Sequence, residues 1–449
     1  TQISLSHLTV LKNFTIWYCH IINICTHIAS EASVPVKDNS DLTPSDRLSL
    51  IVDTGLCIGC GLCQSVAGPN QILIERAANG YEYPVAREAL DHESVDRIYD
   101  TCPGVRIDGL PEEQGQDDPI DPVWGTYRRV TRAYAADPEI RHIGSTGGVL
   151  TALGIYLLES SRVDFILHVK ASRGYPIGGQ QQISHSRQEV LDAAGSRYGP
   201  ATPLIDLPEL LNRGQRFAFI GKPCDVSALR SYARHDPRID ALCQYFLTLV
   251  CGGYGQPQDT FEFIRSMGLD PDEVIDFRYR GYGCPGATRA ETHDGQVVEK
   301  NYLDFWGEDE NSWSLPFRCK ICPDAIGESA DLAVSDTWLG GSPTWKGQED
   351  DPGTNAIVVR TNTGDELLES ALQHGVLAIE RNIDIREMDV YQPHQVDKKY
   401  AAWGRHAGLR AARGIAPVTH RLRIRELAKN NTFRKNLTEA RGTRQRMAR

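Results

Sequence analysis

No stretch of this chain approaches the roughly twenty consecutive apolar residues that cross a bilayer. The nearest, Leu8 to Ala29, is interrupted by Lys12, Asn13, His20, Asn23 and His27. Neither a basic leading segment nor a small-residue cleavage site frames it as a secretion signal. Residues 1–47 therefore read as an extension outside the folded unit, and the remainder as soluble and cytoplasmic, with no integral membrane segment. Internal repeats and low-complexity tracts are also missing, so repeat architectures are not indicated. Twelve cysteines in 449 residues are too few for a disulfide scaffold, and a chain this long buries cores without one. No G-x-G-x-x-G follows a strand, so a Rossmann NAD site is not indicated either.

The composition itself is ordinary, with 41% hydrophobic and 24% charged residues, and the length predicts two to three domains. The charge is unevenly spread. Residues 400–449 hold 13 Lys and Arg against two acids, a net +11, whereas the whole chain is −11 and the body therefore −22. Such a tail suits an acidic partner, a membrane surface or the protein's own acidic body; the alternative is a solvated, partly helical tail.

Polar residues 31–48, with two prolines, read as a linker. A second linker candidate spans residues 109–122, acidic and rich in Pro and Gly. Beyond it, the turn Gly144 to Gly148 leads into a helix-length apolar run, VLTALGIYLLES. Buried strands are predicted at residues 163–169, 216–220, 245–250 and 356–360. Helical patterns separate several of them, which predicts an α/β domain. The expected divisions are an extension over 1–47, an iron–sulfur region over 48–122, an α/β domain over 123–397 and a basic, partly helical tail over 398–449.

Cysteine spacing is the strongest local signal. Cys57, Cys60 and Cys63 follow one another at two-residue gaps, and Cys102 precedes Pro103. A triplet with a distant Cys-Pro matches the ferredoxin pattern of a four-iron cluster. Gly59 and Gly61 would let backbone amides approach cluster sulfides. Zinc is the alternative, although zinc sites favour two Cys or Cys/His pairs. Cys224, Cys251 and the pair Cys319 and Cys322 form a second candidate set. Two of them follow predicted buried strands, whose ends converge in one sheet; the alternative is that Cys224 and Cys251 are small buried residues. Cys243 and Cys284 are left over, Cys284 being a redox thiol, an alternative ligand or structural. Cys19 and Cys25 fall in the extension.

In order and spacing these motifs resemble the coenzyme F(420) hydrogenase/dehydrogenase beta-subunit family, which includes 7-hydroxymethyl chlorophyll a reductase. The resemblance runs from about Leu48 to Asp397. It rests on the two cysteine sets, Ser145 to Gly148 with Thr151 to Leu153, and Gly195 to Tyr198. Gly221 to Cys224 with Ala228 and Leu229, and Asp331 to Trp338, complete it.

The resemblance implies a small N-terminal ferredoxin-like α+β region and an α/β flavin-binding domain. It implies two [4Fe-4S] clusters, on Cys57, Cys60, Cys63 and Cys102 and on Cys224, Cys251, Cys319 and Cys322. It also implies FAD at the Ser145, Thr146, Gly147 and Gly148 turn and Thr151. A glycine turn entering a helix offers amides to a pyrophosphate; the alternative is an ordinary capped turn. Lys170, Arg197, Tyr198 and Lys222 are further flavin-contact candidates, and His142 and Tyr198 candidate acids.

The implied activity is an oxidoreductase passing electrons from a ferredoxin-like donor or partner redox subunit to a small organic acceptor, with no nucleic acid involved; a homo-oligomer is compatible. One alternative is the beta subunit of a complex acting on a deazaflavin coenzyme, although the chain has no nickel or molybdenum motif. Another, from a different class, is a zinc-stabilised binding protein.

Overall fold

The computed structural model describes residues 42–111, 118–309, 313–345, 351–412 and 414–447. Expectations for Cys19, Cys25 and most of the 1–47 extension lie outside the described residues.

Eight strands form the main sheet: β1 (Arg129–Ala135), β2 (Phe165–Ser172), β3 (Tyr175–Ser184), β4 (Phe217–Gly221), β5 (Cys243–Leu249), β6 (Leu332–Asp336), β7 (Asn355–Val359) and β8 (Leu377–Ile383). Their order is β8-β1-β7-β6-β5-β4-β2-β3. The middle four, β6-β5-β4-β2, are mutually parallel. The flanking pairs are antiparallel. All four predicted strands are present; β1, β3, β6 and β8 are additional.

Side chains alternate strictly across this sheet. Ile166, Ala218, Leu332, Val334, Ile357 and Val359 face one apolar layer. Phe165, Leu167, Phe217 and Phe219 face a second, and Ala333, Ala356 and Val358 a third. A strand covered on both faces reads as a continuous apolar run, which is why β2, β4, β5 and β7 stood out. The first layer is closed by helix Val149–Glu159, apolar all round and buried along most of its length. Such a helix belongs in a core rather than at a surface. Helix Asn362–Gln373 joins it through Leu367, Leu368 and Ala371. Across the sheet, helix Pro223–Tyr232 packs with Ile58, Cys60 and Leu62.

Residues Pro44–Arg449 form one compact unit, without separation at the expected boundaries 122/123 and 397/398. Helix Pro44–Asp53 occupies the end of the expected first linker. Within the second, Leu110 is buried and Ile120–Asp121 pairs with Gly125–Thr126. Helix Pro393–Ala411 runs through the second boundary. The basic stretch is largely built into the body. Strand Val418–His420 pairs in parallel with Arg106–Asp108. Helix Phe433–Met447 lies so close to helix Pro393–Ala411 that a Cβ on Gly408 would sit 2.3 Å from the Ala440 carbonyl oxygen. Of the readings for this tail, contact with the protein's own body is the one its arginines make. Arg421 donates to the carbonyls of Gly109 and Leu110, and Arg405 to that of Lys320.

Glu328, 3% exposed, takes the carboxylate role in this closure, accepting from Lys399 and Arg423. Burial works to raise its pKa, but the two cations outweigh burial and hold it below the ordinary carboxylate range. Removing one member of a buried pair leaves the other uncompensated. We expect Glu328→Gln to lose about 3–5 kcal/mol in urea unfolding at pH 7. The folded pKa is depressed, so this contribution is full above the unfolded value near about 4.3 and is lost as pH falls through the folded one.

Candidate functional site

Adjacent parallel strands deliver their following loops to one sheet edge, where α/β proteins place ligands. Here β4 runs into Lys222, Pro223 and Cys224, β5 into Val250 and Cys251, and β6 ends at Asp336. Pro223 begins helix Pro223–Tyr232, where its missing N–H costs nothing. The Cys251 amide donates to the Ala325 carbonyl at 2.8 Å and so ties this edge to the loop of Cys319 and Cys322. Cys251 and Cys322 both act on Cys224, and the same two act on Cys319. Burial raises the Cys224 and Cys251 thiols, and burial followed by Cys251 and Cys322 raises that of Cys319 to about 12.

Cys57, Cys60, Cys63 and Cys102 ring a small apolar hollow of about 20 Å³ with Ile58, Leu62, Ile74 and Ile98. Helix His92–Thr101 ends at Cys102 and so sets its position. The Gly59 amide donates to Cys57 Sγ at 3.4 Å. Burial and then Cys102 push the Cys57 thiol up to about 12. Gly59 and Gly61 serve the fold directly. Both have left-handed φ (+71° and +87°), and a Cβ would meet the Glu82 carbonyl at 2.8 Å and Ile205 at 2.3 Å. The two cysteine sets are neighbours. Cys60 and Cys224 pack in one apolar cluster, and Ile321, between Cys319 and Cys322, packs with Cys57, Cys63 and Cys102. Tyr254 feels Cys319 and Cys224 from one set and Cys57 from the other. Among the described residues no group of three or more His, Cys, Asp or Glu side chains is gathered as a single-ion site.

A cleft of about 270 Å³ opens beside Cys251. Ser145, Thr146, Gly148, Thr151, Arg197, Tyr198 and Lys222 line it; Gly147 and Lys170 do not. Gly148 is left-handed and has no side chain to cap the helix that follows; the Val149 amide donates instead to Asn355 Oδ1 at 3.4 Å, and the first turn, Val149 to Thr151, lines the cleft. Gly147 is needed for packing, since a Cβ there would meet Asn355 Oδ1 at 2.7 Å. Lys222 pairs with the fully buried Asp225 at 2.8 Å. Arg197 donates to the Phe277 carbonyl at 2.7 Å.

Sequence reasoning missed several lining residues. Arg280, 1% exposed, donates to Asp336 Oδ2 at 2.9 Å and Tyr198 OH at 3.2 Å, and also to the Ser145 carbonyl and Thr146 Oγ1. It holds the glycine turn to the end of β6. Burial opposes its charge, but Asp336 outweighs burial and keeps it ionised. Trp306, Trp313 and Trp338 make one side of the cleft aromatic. Their only sequence signal was Trp338 within a quoted motif. His142 lies instead in a second groove with Cys284, whose Sγ is 3.6 Å from Asp351 Oδ2. Cys284 joins neither cysteine set. Cys243 is buried at the start of β5, its thiol donating to the Tyr245 carbonyl at 3.6 Å.

Two family models match, both described as coenzyme F(420) hydrogenase/dehydrogenase, beta subunit: the N-terminal one over residues 130–208 and the C-terminal one over 214–384. Together they take in more than half of the chain. The chain belongs to this family. The matched ranges contain the cleft and the second cysteine set, while residues 57–102 precede them. Among curated relatives, a coenzyme F(420)-dependent sulfite reductase of Methanocaldococcus jannaschii is 25% identical over 358 residues, covering 74% of this chain and 48% of the relative. An F(420)-dependent formate dehydrogenase 1 subunit beta of Methanococcus maripaludis is 27% identical over 54% of this chain and 58% of its own length. A coenzyme F(420) hydrogenase subunit beta of Methanococcus voltae is 24% identical, with 62% and 92% covered. The chain thus spans about half the length of the first two. Among solved structures, a chain of the F(420)-reducing [NiFe] hydrogenase complex from Methanosarcina barkeri superposes with a TM-score of 0.47 at 20% identity, covering 62% of this chain and 92% of that one.

His168 lines the cleft and bonds to Ser184 Oγ at 2.8 Å. Burial, with Lys170 second, lowers its pKa to about 4. Its ring is neutral at pH 7. Its folded pKa lies below the unfolded value of about 6.5, so its contribution to stability is full above 6.5 and is lost as pH falls from there to 4. A histidine NMR titration should show one ring with a midpoint near 4 that His168→Gln removes.

Proposed function

We propose that the chain is a beta-type redox subunit that passes electrons between a partner redox subunit, or a ferredoxin-like donor, and a deazaflavin coenzyme of the F(420) kind. The observation that carries this reading is a contiguous path: two cysteine sets that share packing clusters, the second opening at Cys251 onto an aromatic cleft. The relatives named above supply the coenzyme, and the missing nickel and molybdenum motifs make another subunit the site of any hydrogen or formate chemistry. A setting that keeps thiols reduced, as the cytoplasm does, goes with this reading.

The donor sets fit two [4Fe-4S] clusters. The eight cysteines offer soft sulfur donors, the first four around a small apolar hollow. Zinc sites favour two Cys or Cys/His pairs, whereas the first set is a triplet with a distant Cys-Pro. The zinc-stabilised binding protein is therefore the weaker reading. The residues of the cleft fit a flavin such as FAD: the Gly148 turn and helix start would take its phosphates, Lys222 and Arg197 would meet its polar edges, and the tryptophans its rings. When bound, the clusters would move single electrons and the flavin would exchange them for a hydride equivalent.

The chain's own residues hold, orient and shield. Arg280 fixes the Ser145–Thr146 turn against Asp336. Tyr198 packs edge-on to Trp306, ring centroids 5.0 Å apart, which limits the cleft to flat groups. Residues 48–122 supply the ferredoxin-like outer station, nearest to the electron donor. Purified without oxygen, the chain should contain about eight irons and one flavin. Cys57→Ala and Cys224→Ala should each remove about half the iron, and chemically reduced protein should reduce an F(420)-type coenzyme. Zinc without iron or flavin would overturn the reading.

A further inference from the structure

Among the described residues three arginines are almost wholly buried: Arg280, Arg318 and Arg360. A buried guanidinium needs a counter-charge, because desolvation of an unpaired ion costs several kcal/mol (about). Arg280 has Asp336, at 2.9 Å. Arg360 bonds to three backbone carbonyls and faces Glu328 and Asp324. Arg318, 2% exposed, is different. Its Nε and Nη2 both donate to one carbonyl oxygen, that of Pro103, at 3.3 and 2.7 Å. That carbonyl is neutral, and the anion-forming groups that face Arg318 are cysteines.

Its position is also singular. Pro103 follows Cys102 of the first quartet, and Arg318 itself precedes Cys319 of the second. One side chain therefore clamps the last loop of one cysteine set to the first residue of the other. Its neighbours make no second cation of this kind. His406, whose ring bonds to the Ile321 carbonyl at 3.3 Å, is kept neutral by burial. Arg405 is spent on the Lys320 carbonyl and on Glu439. Lys398 donates to the Gly252 carbonyl at 2.8 Å and acts on Cys251 and Cys319, both of the second set.

We propose that Arg318 is a positioning residue shared by both quartets, a buried cation whose counter-charge is the pair of anionic clusters on either side and which therefore sets their reduction potentials together. The proposal rests on the two-cluster reading above. A fixed cation favours the more negatively charged, reduced form of any cluster near it. The cysteines that respond to its charge belong to both sets: Cys102 in one, Cys322, Cys224 and Cys319 in the other.

The test is an EPR-monitored redox titration of the anaerobically reconstituted full chain, of Arg318→Gln, Arg318→Lys and Lys398→Gln. Arg318→Gln should move both cluster midpoints to more negative potential. Arg318→Lys, which keeps the charge, should leave both near the parent values, and Lys398→Gln should move one only. Two parent signals of which Arg318→Gln shifts one or neither overturn the proposal and leave the two-cluster reading standing. Fewer than two four-iron signals in the parent overturn that reading and the proposal with it. If Arg318→Gln takes up no iron, Arg318→Lys and Lys398→Gln decide the case: Arg318→Lys midpoints both near the parent values with a single midpoint moved by Lys398→Gln support the proposal, and any other pattern overturns it.

Discussion

The structure depends on four neighbouring strands pointing the same way. Because β2, β4, β5 and β6 are parallel, every loop that leaves them emerges at one edge. Cys224, Cys251 and Asp336 are 112 residues apart from first to last, yet that single constraint brings them to one place. Parallel pairing also demands that both faces be covered. One cover is the apolar helix Val149–Glu159; the other is shared by helix Pro223–Tyr232 and the first cysteine loop. The first quartet is thus held against the second by the same packing that completes the core.

Charge is handled differently at the two ends of this arrangement. On the side of the C-terminal helices, Glu328 is surrounded by cations and stays ionised. Around the quartets, burial raises the thiols of Cys57, Cys60, Cys63, Cys102, Cys224, Cys251 and Cys319, so these are neutral at pH 7 while metal-free. Any metal taken up there must displace protons, so occupancy is coupled to pH as well as to iron supply.

How much of this was legible in the sequence follows from whether the deciding contacts are local. The Cys57 triplet carries its own geometry within seven residues. Strands β2, β4, β5 and β7 were readable because both their faces are apolar. β3 and β8 are edge strands with polar faces, GGQQQ in one and ERN in the other, and β1 offsets Arg129 and Arg132 against Asp365, Glu369 and Glu380. No apolar run marks any of them. The second quartet could be listed but not assembled without knowing which strands are neighbours. Arg280 was invisible for the same reason: its partners lie 135 and 56 residues away. For the basic stretch the sequence left several partners open, because composition counts charges, whereas the choice of the protein's own body is made by bonds of Arg421 and Arg405 to specific backbone carbonyls.

The pairing of Arg106–Asp108 with Val418–His420 bears on how the protein is made. Strand Arg106–Asp108 begins four residues after Cys102, and its partner strand among the described residues is synthesised some three hundred residues later. While the chain is emerging from the ribosome, the Cys57 set has all four cysteines but lacks the strand that pairs beside it. Its assembly belongs to the finished polypeptide, and a chain halted before residue 418 would carry these cysteines without the enclosure they have here.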